Sequence, residues 1–375
     1  MSATVRELSG DELDGWDAGA VDVAGGHVYQ SRAWAEHRAE RGWGPRFLEA
    51  AGQRALVLER RWPLVGGGSG YIARGPVGAG EPWTRDGSGA VTAEALAAIA
   101  TQLAGQGIDV LAADPEVAAD DAAYHGALTA AGFHPIPEIQ PSRHRTALAL
   151  AGADETAIFE GIAKATRQRI RRAERDQTRV LRWDLAPSNL EGADNAGRDE
   201  PAADAFTRFY AMLRATGDRR GFDFAGPDEF VAWWQRAHAA GHLVYLEARA
   251  HDDGALLGGL ILYRHGRRLS TAHSADVADS RRTHAGTMHL LRWRAIQLAL
   301  AEGRAEMDLG GVDVVGARRE PLPGEATYGL YEHKRSFGAH WVALAGAQER
   351  VARPWRYRAG RATSRLARSL GGGRR

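Results

Sequence analysis

Met307-Asp308-Leu309-Gly310-Gly311 and, downstream, Tyr328-Gly329-Leu330-Tyr331-Glu332-His333-Lys334-Arg335-Ser336-Phe337-Gly338 are the stretches on which the fold turns. The first reads as a strand ending in two glycines, which let backbone approach backbone or a ligand closely. The second brackets a lysine with aromatic side chains. An ammonium held near apolar rings is partly desolvated and suited to stabilising a developing oxyanion. The same residues also read as an ordinary helix with one surface lysine. Of 48 basic residues only Lys164 and Lys334 are lysines. A compact ammonium differs in chemistry from the planar guanidinium used everywhere else in the chain.

Outward from these stretches the pattern is mixed α and β. Period-two segments predict strands at Arg54–Arg60, Asp109–Ala113, Arg145–Leu150, Val180–Asp184, Leu243–Ala250, Leu256–Tyr263, Leu269–His273, Glu306–Leu309 and Trp341–Leu344. Helical periodicity predicts helices at Ala90–Ala104, Asp121–Ala131, Asp154–Arg175, Ala202–Ala215, Pro227–Ala240 and Thr287–Ala301. The order in the first half, strands, helix, strand, helix, strand, begins again after Ala151. Gly66–Gly70 reads as a flexible hairpin connection. A chain of 375 residues exceeds what one compact core usually spans, so two domains are expected.

Composition excludes several chemistries. There is no cysteine, hence no disulfide, thiolate catalysis or thiolate metal site. No lysine follows a glycine, so no Walker-type phosphate loop exists. The glycines around Ser69 fit neither a dinucleotide fingerprint nor a nucleophile elbow. His238 and His242 are four apart, but Gly241 interrupts them and no glutamate stands in the zincin position, so no metal is expected. The acidic start, Glu7 to Asp17, is unlike a signal peptide, and the longest apolar run, Ala255 to Tyr263, is too short to span a bilayer. A cytoplasmic protein is expected. Net charge is +1, yet every charged residue after Glu349 is an arginine, from Arg350 to Arg375. Such a tail suits RNA phosphates or an anionic membrane surface, and equally a solvated terminal helix.

With these residues in view, the chain resembles the FemABX family of tRNA-dependent aminoacyltransferases, which build peptidoglycan cross-bridges. The resemblance rests on Asp308-Leu-Gly-Gly311 followed by Gly329-Leu-Tyr-Glu-His-Lys334-Arg-Ser-Phe337-Gly338. It extends, in order, to Tyr29-Gln30-Ser31-Arg-Ala-Trp34, Tyr71-Ile-Ala-Arg74-Gly75-Pro76, Ala113-Asp114-Pro115-Glu116, Glu138-Ile-Gln140-Pro141 with Thr146, Arg169-Ile-Arg-Arg-Ala173-Glu174, and Thr216-Gly-Asp-Arg219-Arg-Gly221-Phe222. It covers nearly the whole chain. Two departures stand out: no room for a long coiled-coil arm, which favours the compact FemX-like subtype, and His333 where the family carries an aromatic.

The resemblance implies an α/β fold of two GNAT-like domains, each a mixed, mostly antiparallel sheet flanked by helices. The first would span 1–150, completed by 340–375, and the second 151–339. It implies transfer of an amino acid from aminoacyl-tRNA to an amine of UDP-MurNAc-pentapeptide, lipid II or a related peptide. The aminoacyl ester is already activated, so no cofactor is expected, and a monomer is the simpler expectation. Arg38 and Arg219 would hold the acceptor's diphosphate, a role the guanidinium fork suits. Arg74, Tyr328 and Tyr331 would contribute to substrate binding, and Asp114 would lie in the acceptor-peptide region. Lys334 would steady the tetrahedral intermediate or the RNA end. Asp114 or Asp308 could accept the amine's proton, although Asp308 reads equally as a turn cap. Lys164, Arg167, Arg171 and Arg175 share one helix face that could follow an RNA backbone, or simply be solvated. Trp233, Trp234 and Tyr331 are candidates to stack on the unpaired RNA end, and equally candidates for the core. The competing activity is acyl transfer from acyl-CoA, for which Arg281-Arg-Thr-His-Ala-Gly286-Thr287 would be the diphosphate loop opening a helix.

Overall fold

A computed structural model describes residues 3–185, 193–195, 200–220, 226–314 and 316–371; within these, the side chains of 193–195, 219, 220, 281 and 366–370 are not described. The chain divides into two compact units, 1–144 with 342–375, and 145–341.

The first unit holds β1 (Val5–Leu8), α1 (Trp16–Ala20), α2 (Arg32–Ala39), β2 (Gly44–Ala50), β3 (Gln53–Arg61), β4 (Gly68–Ile72), α3 (Ser88–Gly105), β5 (Val110–Ala113), α4 (Ala122–Ala130) and β6 (His134–Pro135), then β15 (Gln348–Val351) and α12 (Pro354–Gly371). Its seven strands run in the order β1-β2-β3-β4-β5-β15-β6. Only β4 and β5 are parallel, paired Ser69↔Val110 to Ile72↔Ala113. Helix α3 lays Leu96, Ile99 and Leu103 against Val57, Ile72 and Leu111. Each such side chain contributes about 1.5–3 kcal/mol of hydrophobic stabilisation.

Residues 68–70, the second part of the Gly66–Gly70 stretch read as a connection, instead begin strand β4. The reason is space: a Cβ at Gly70 would lie 3.1 Å from Leu111 Cδ1 and 3.3 Å from Val57 Cγ1. Composition marked flexibility where packing demanded smallness.

The second unit holds β7 (Arg145–Ala149), α5 (Glu155–Gly161), α6 (Lys164–Arg175), β8 (Arg179–Trp183), β9 (Ala193–Asn195), α7 (Ala202–Arg220), α8 (Pro227–Ala239), β10 (Leu243–Arg249), β11 (Leu256–His265), β12 (Arg268–Asp276), α9 (Ser280–Thr283), α10 (Thr287–Ala301), β13 (Glu306–Asp308), α11 (Tyr328–Arg335) and β14 (His340–Val342). Its sheet order is β14-β7-β13-β12-β11-β10-β8-β9. Strands β12 and β13 run parallel, from Arg268↔Glu306 to Ser270↔Asp308. Helix α10 fills one core with Leu290, Leu291 and Ile296. Phe206 and Phe209 of α7, Trp234 of α8 and Tyr245 of β10 form an aromatic cluster of edge-to-face and tilted rings. Trp234 is fully buried and Trp233 nearly so, its indole donating to Tyr263 Oη at 2.7 Å. These tryptophans are therefore core residues and offer no ring to RNA.

The single helix predicted over Asp154–Arg175 is two. Ile162 is extended (ψ 139°) and buried, and the Ala163 amide donates to Ser336 O at 2.8 Å. Burying Ile162 and joining α6 to the end of α11 outweighs continuous helical propensity.

Candidate active site

Each unit opens at the end of an interior parallel strand pair, β4 with β5 and β12 with β13. In the second unit β12 and β13 separate after Ser270 and Asp308. The turn that follows is tight: Gly310 has φ +83°, and a Cβ there would lie 3.0 Å from Thr271 O. Asp308 caps it, accepting from the Gly310 amide at 2.7 Å, with Arg145 3.9 Å from its other oxygen. This is the turn-cap alternative of the sequence. Lys334 closes the arrangement from α11, donating to Gly310 O at 2.8 Å and Gly311 O at 3.0 Å. It is 4% exposed, so it is no surface lysine. Two of its three N–H groups are spent on carbonyls, leaving one. Desolvation, with repulsion from Arg292, lowers its pKa to about 7, although Asp308 and Asp313 pull the other way.

Arg292 is a second buried cation beside Lys334. It is 2% exposed and donates from Nε to His333 Nε2 at 2.8 Å. That bond makes Nε2 the acceptor and puts the proton of neutral His333 on Nδ1. Burial and Arg292 push His333 down to about 2, and burial pushes His289, edge-on to it at 4.5 Å, to about 4. Both rings are neutral at any working pH. Tyr331 is buried against Trp341 at 5.8 Å, its hydroxyl pushed to about 12 by desolvation and Glu320. It too lacks an exposed stacking face. Tyr328, half-buried, lies 6.5 Å from it.

In the first unit β4 and β5 separate after Ile72 and Ala113, and Asp114 bridges the gap. Its carboxylate accepts from the Arg74 amide at 2.8 Å and from Tyr71 Oη at 3.0 Å. Gln140 donates to the same hydroxyl at 2.9 Å, and Arg74 reaches Ser142 O at 2.5 Å. Asp114 is 1% exposed, and burial raises its pKa to about 6 against the pull of Arg74. Tyr71 and Gln140 open onto a cavity of about 510 Å³ lined also by Trp34, Arg38, Trp43, Trp62, Glu349, Tyr357 and Arg361. Asp114 stands behind this wall and acts on the cavity through Tyr71. Arg38 lies 5.3 Å from the ring centres of both Trp34 and Trp43. A guanidinium flanked by rings beside a 510 Å³ space suits an anionic, ring-bearing ligand.

The remaining sequence candidates separate. Lys164, Arg171 and Arg175 are exposed on α6 and Arg167 half-buried, while Thr166, Ile170 and Ala173 face inward. Arg219 falls at the end of α7 with its side chain outside the described residues. Among the described residues no group of three or more His, Asp or Glu could hold a metal. No described helix is long and apolar enough to cross a membrane. Sequence reading missed Arg292, Trp43, Trp62, Tyr357 and Arg361. Two of them carried a signal: Tyr357 and Arg361, like Trp34 and Arg38, are an aromatic and an arginine four apart, on one helix face.

Two α/β units, each a mixed sheet opened after its one interior parallel pair, define a tandem GNAT-like fold. The crystal structure of FemX has it: 97% of that chain and 93% of this one align, with a TM-score of 0.72 and 17% identity. A conserved protein of unknown function from Bacteroides thetaiotaomicron VPI-5482 aligns over 98% of its chain and 92% of this one (TM-score 0.53, 11% identity). A tandem GNAT protein from the clavulanic acid biosynthesis pathway aligns over 99% and 94% (TM-score 0.46, 12% identity). At these identities the likeness is one of fold. No family model and no curated protein matches the sequence.

Proposed function

We propose that this chain is an aminoacyltransferase that moves an amino acid from aminoacyl-tRNA to an amine of a peptidoglycan precursor or related peptide. The observation that carries the reading is the buried Lys334 ammonium, fixed by two glycine carbonyls with one N–H to give. In a water-poor site a preorganised cation stabilises a developing oxyanion strongly. The donor ester is already activated. The neutral acceptor amine attacks its carbonyl carbon, Lys334 holds the oxyanion, the carbon–oxygen bond to the ribose breaks, and the amine's proton passes to the departing ribose oxygen. The first unit's cavity, with Arg38 and Arg361 among aromatic rings, would take the acceptor's phosphate-bearing portion. Tyr71 would be aimed by Asp114.

Acyl-CoA is the weaker donor on one observation. Its diphosphate would sit at the start of α10, but α6 packs there: a Cβ at Gly286 would lie 2.2 Å from Arg169 O. The exposed basic face of the same α6 favours an RNA-borne donor. The test is incubation with radiolabelled aminoacyl-tRNAs and UDP-MurNAc-pentapeptide, lipid II or free peptides, with an acetyl-CoA arm. Labelled peptide from the tRNA arm is expected. Transfer from acetyl-CoA alone would refute the reading.

A pH profile follows. Lys334 is charged below about 7 and neutral above, so turnover should fall as pH rises through about 7. Asp114 is ionised above about 6, so kcat/KM for the acceptor should fall as pH drops through about 6. The downward bend near 7 should be missing from the residual activity of Lys334→Met; its persistence there would assign it to another group.

A further inference from the structure

The face of the first unit formed by α12 and the β3–β4 turn carries features the fold does not use. Leu64, at the tip of that turn, is 94% exposed and held at φ +70°. A leucine there is unfavourable twice over, in backbone strain and in apolar exposure. Trp355, in the first turn of α12, is 68% exposed. The two segments are tied together: Trp62 Nε1 donates to Asp109 at 2.9 Å, and Arg356 meets the same carboxylate at 3.2 Å. Helix α12 turns Gly360 against the Trp62 ring, where a Cβ would come within 2.3 Å. Its opposite side therefore faces solvent, with Trp355, Ala359 and Ala362 on one stripe and exposed Arg358 and Arg365 beside it. Arg61 adds a cation near the turn, and no acidic residue follows Glu349.

We propose that this face, Leu64 with Trp355, Arg358 and Arg365, seats the protein on an anionic lipid surface. The combination is that of an interfacial helix: an aromatic at headgroup depth, an apolar stripe, and arginines attracted to anionic lipid. RNA would account for the arginines and the tryptophan, but not for a strained aliphatic side chain in full solvent. No transfer activity is assumed, so this inference and the proposed function stand or fall separately.

The test is sedimentation of the full chain with vesicles of phosphatidylcholine containing about one third phosphatidylglycerol, against pure phosphatidylcholine. Much tighter binding to the anionic vesicles is expected, with only the weak apolar part on pure phosphatidylcholine. Arg358→Ala with Arg365→Ala should weaken it about 25-fold, about fivefold per arginine. Leu64→Ser with Trp355→Ser should remove the binding that survives high salt, because that part is not screened. All four positions are exposed, and unchanged melting temperatures confirm folded variants. No binding to anionic vesicles, or equal binding by every variant, overturns the proposal. So does loss of affinity for a single-stranded RNA in the arginine variant with no vesicle binding to lose.

Discussion

Lys334→Met is expected to lower kcat for aminoacyl transfer about 10²- to 10³-fold, the usual effect of removing one oxyanion partner. KM for the acceptor should change little, because the lysine lies in the second unit and the cavity proposed for the acceptor is lined by the first. Methionine fills a similar volume without a charge. It relieves the desolvation of a group whose charged form the fold disfavours, as the lowered pKa indicates. It also takes the donors from Gly310 O and Gly311 O, so a modest loss of stability accompanies it. Steady-state kinetics with a measured melting curve separate the two effects. A folded Lys334→Met protein with wild-type kcat would remove the lysine from the chemistry and make it a brace for the Gly310–Gly311 turn.

Asp109→Ala is expected to destabilise the first unit by about 3 kcal/mol, the penalty for breaking a buried ion pair from one side. Asp109 is fully buried, accepts from Trp62 Nε1 and the Gly68 amide, and lies 3.2 Å from Arg356 and 3.6 Å from Arg353. Alanine leaves Trp62 Nε1 and the Gly68 amide without this acceptor and takes the counter-charge from both arginines, which keep only the carbonyls of Ala104, Gly107 and Ile108; it loosens α12 from the β3–β4 turn. Differential scanning calorimetry should show one transition falling by about 10 °C, at about 2–4 °C per kcal/mol for a unit of this size. Asp109→Asn, which keeps an acceptor oxygen and loses the charge, should fall less. A transition within a degree of wild type would mean that the arginines reach solvent and the carboxylate is dispensable.

How far the sequence could be read depended on the range of the forces involved. Strands such as Leu256–His265 and the helix Thr287–Ala301 were legible because their apolar patterns are local. Strand β15 was not, since Gln348–Val351 alternates little and becomes a strand only by entering between β5 and β6. The break at Ile162 was also hidden, because its cause is Ser336, far along the chain. At the site, Lys334 stood out by its rarity, its aromatic neighbours and its motif, but the same residues read equally as a helix with a surface lysine, so its near-complete burial was not fixed. Nothing near position 334 in sequence announces Arg292, and an arginine on a helix resembles many others. Asp114 was found through its motif, but its place behind Tyr71 depends on how two strands part.

The insertion of β15 reverses the ordinary order of folding during synthesis. Strands β5 and β6 leave the ribosome early, but the strand that joins them is made only after every residue of 145–341. Throughout that interval the nascent chain carries two unpaired edges, which are templates for mispairing with other chains. The later-encoded unit is contiguous and needs no outside strand, so it can mature first and the earlier one last.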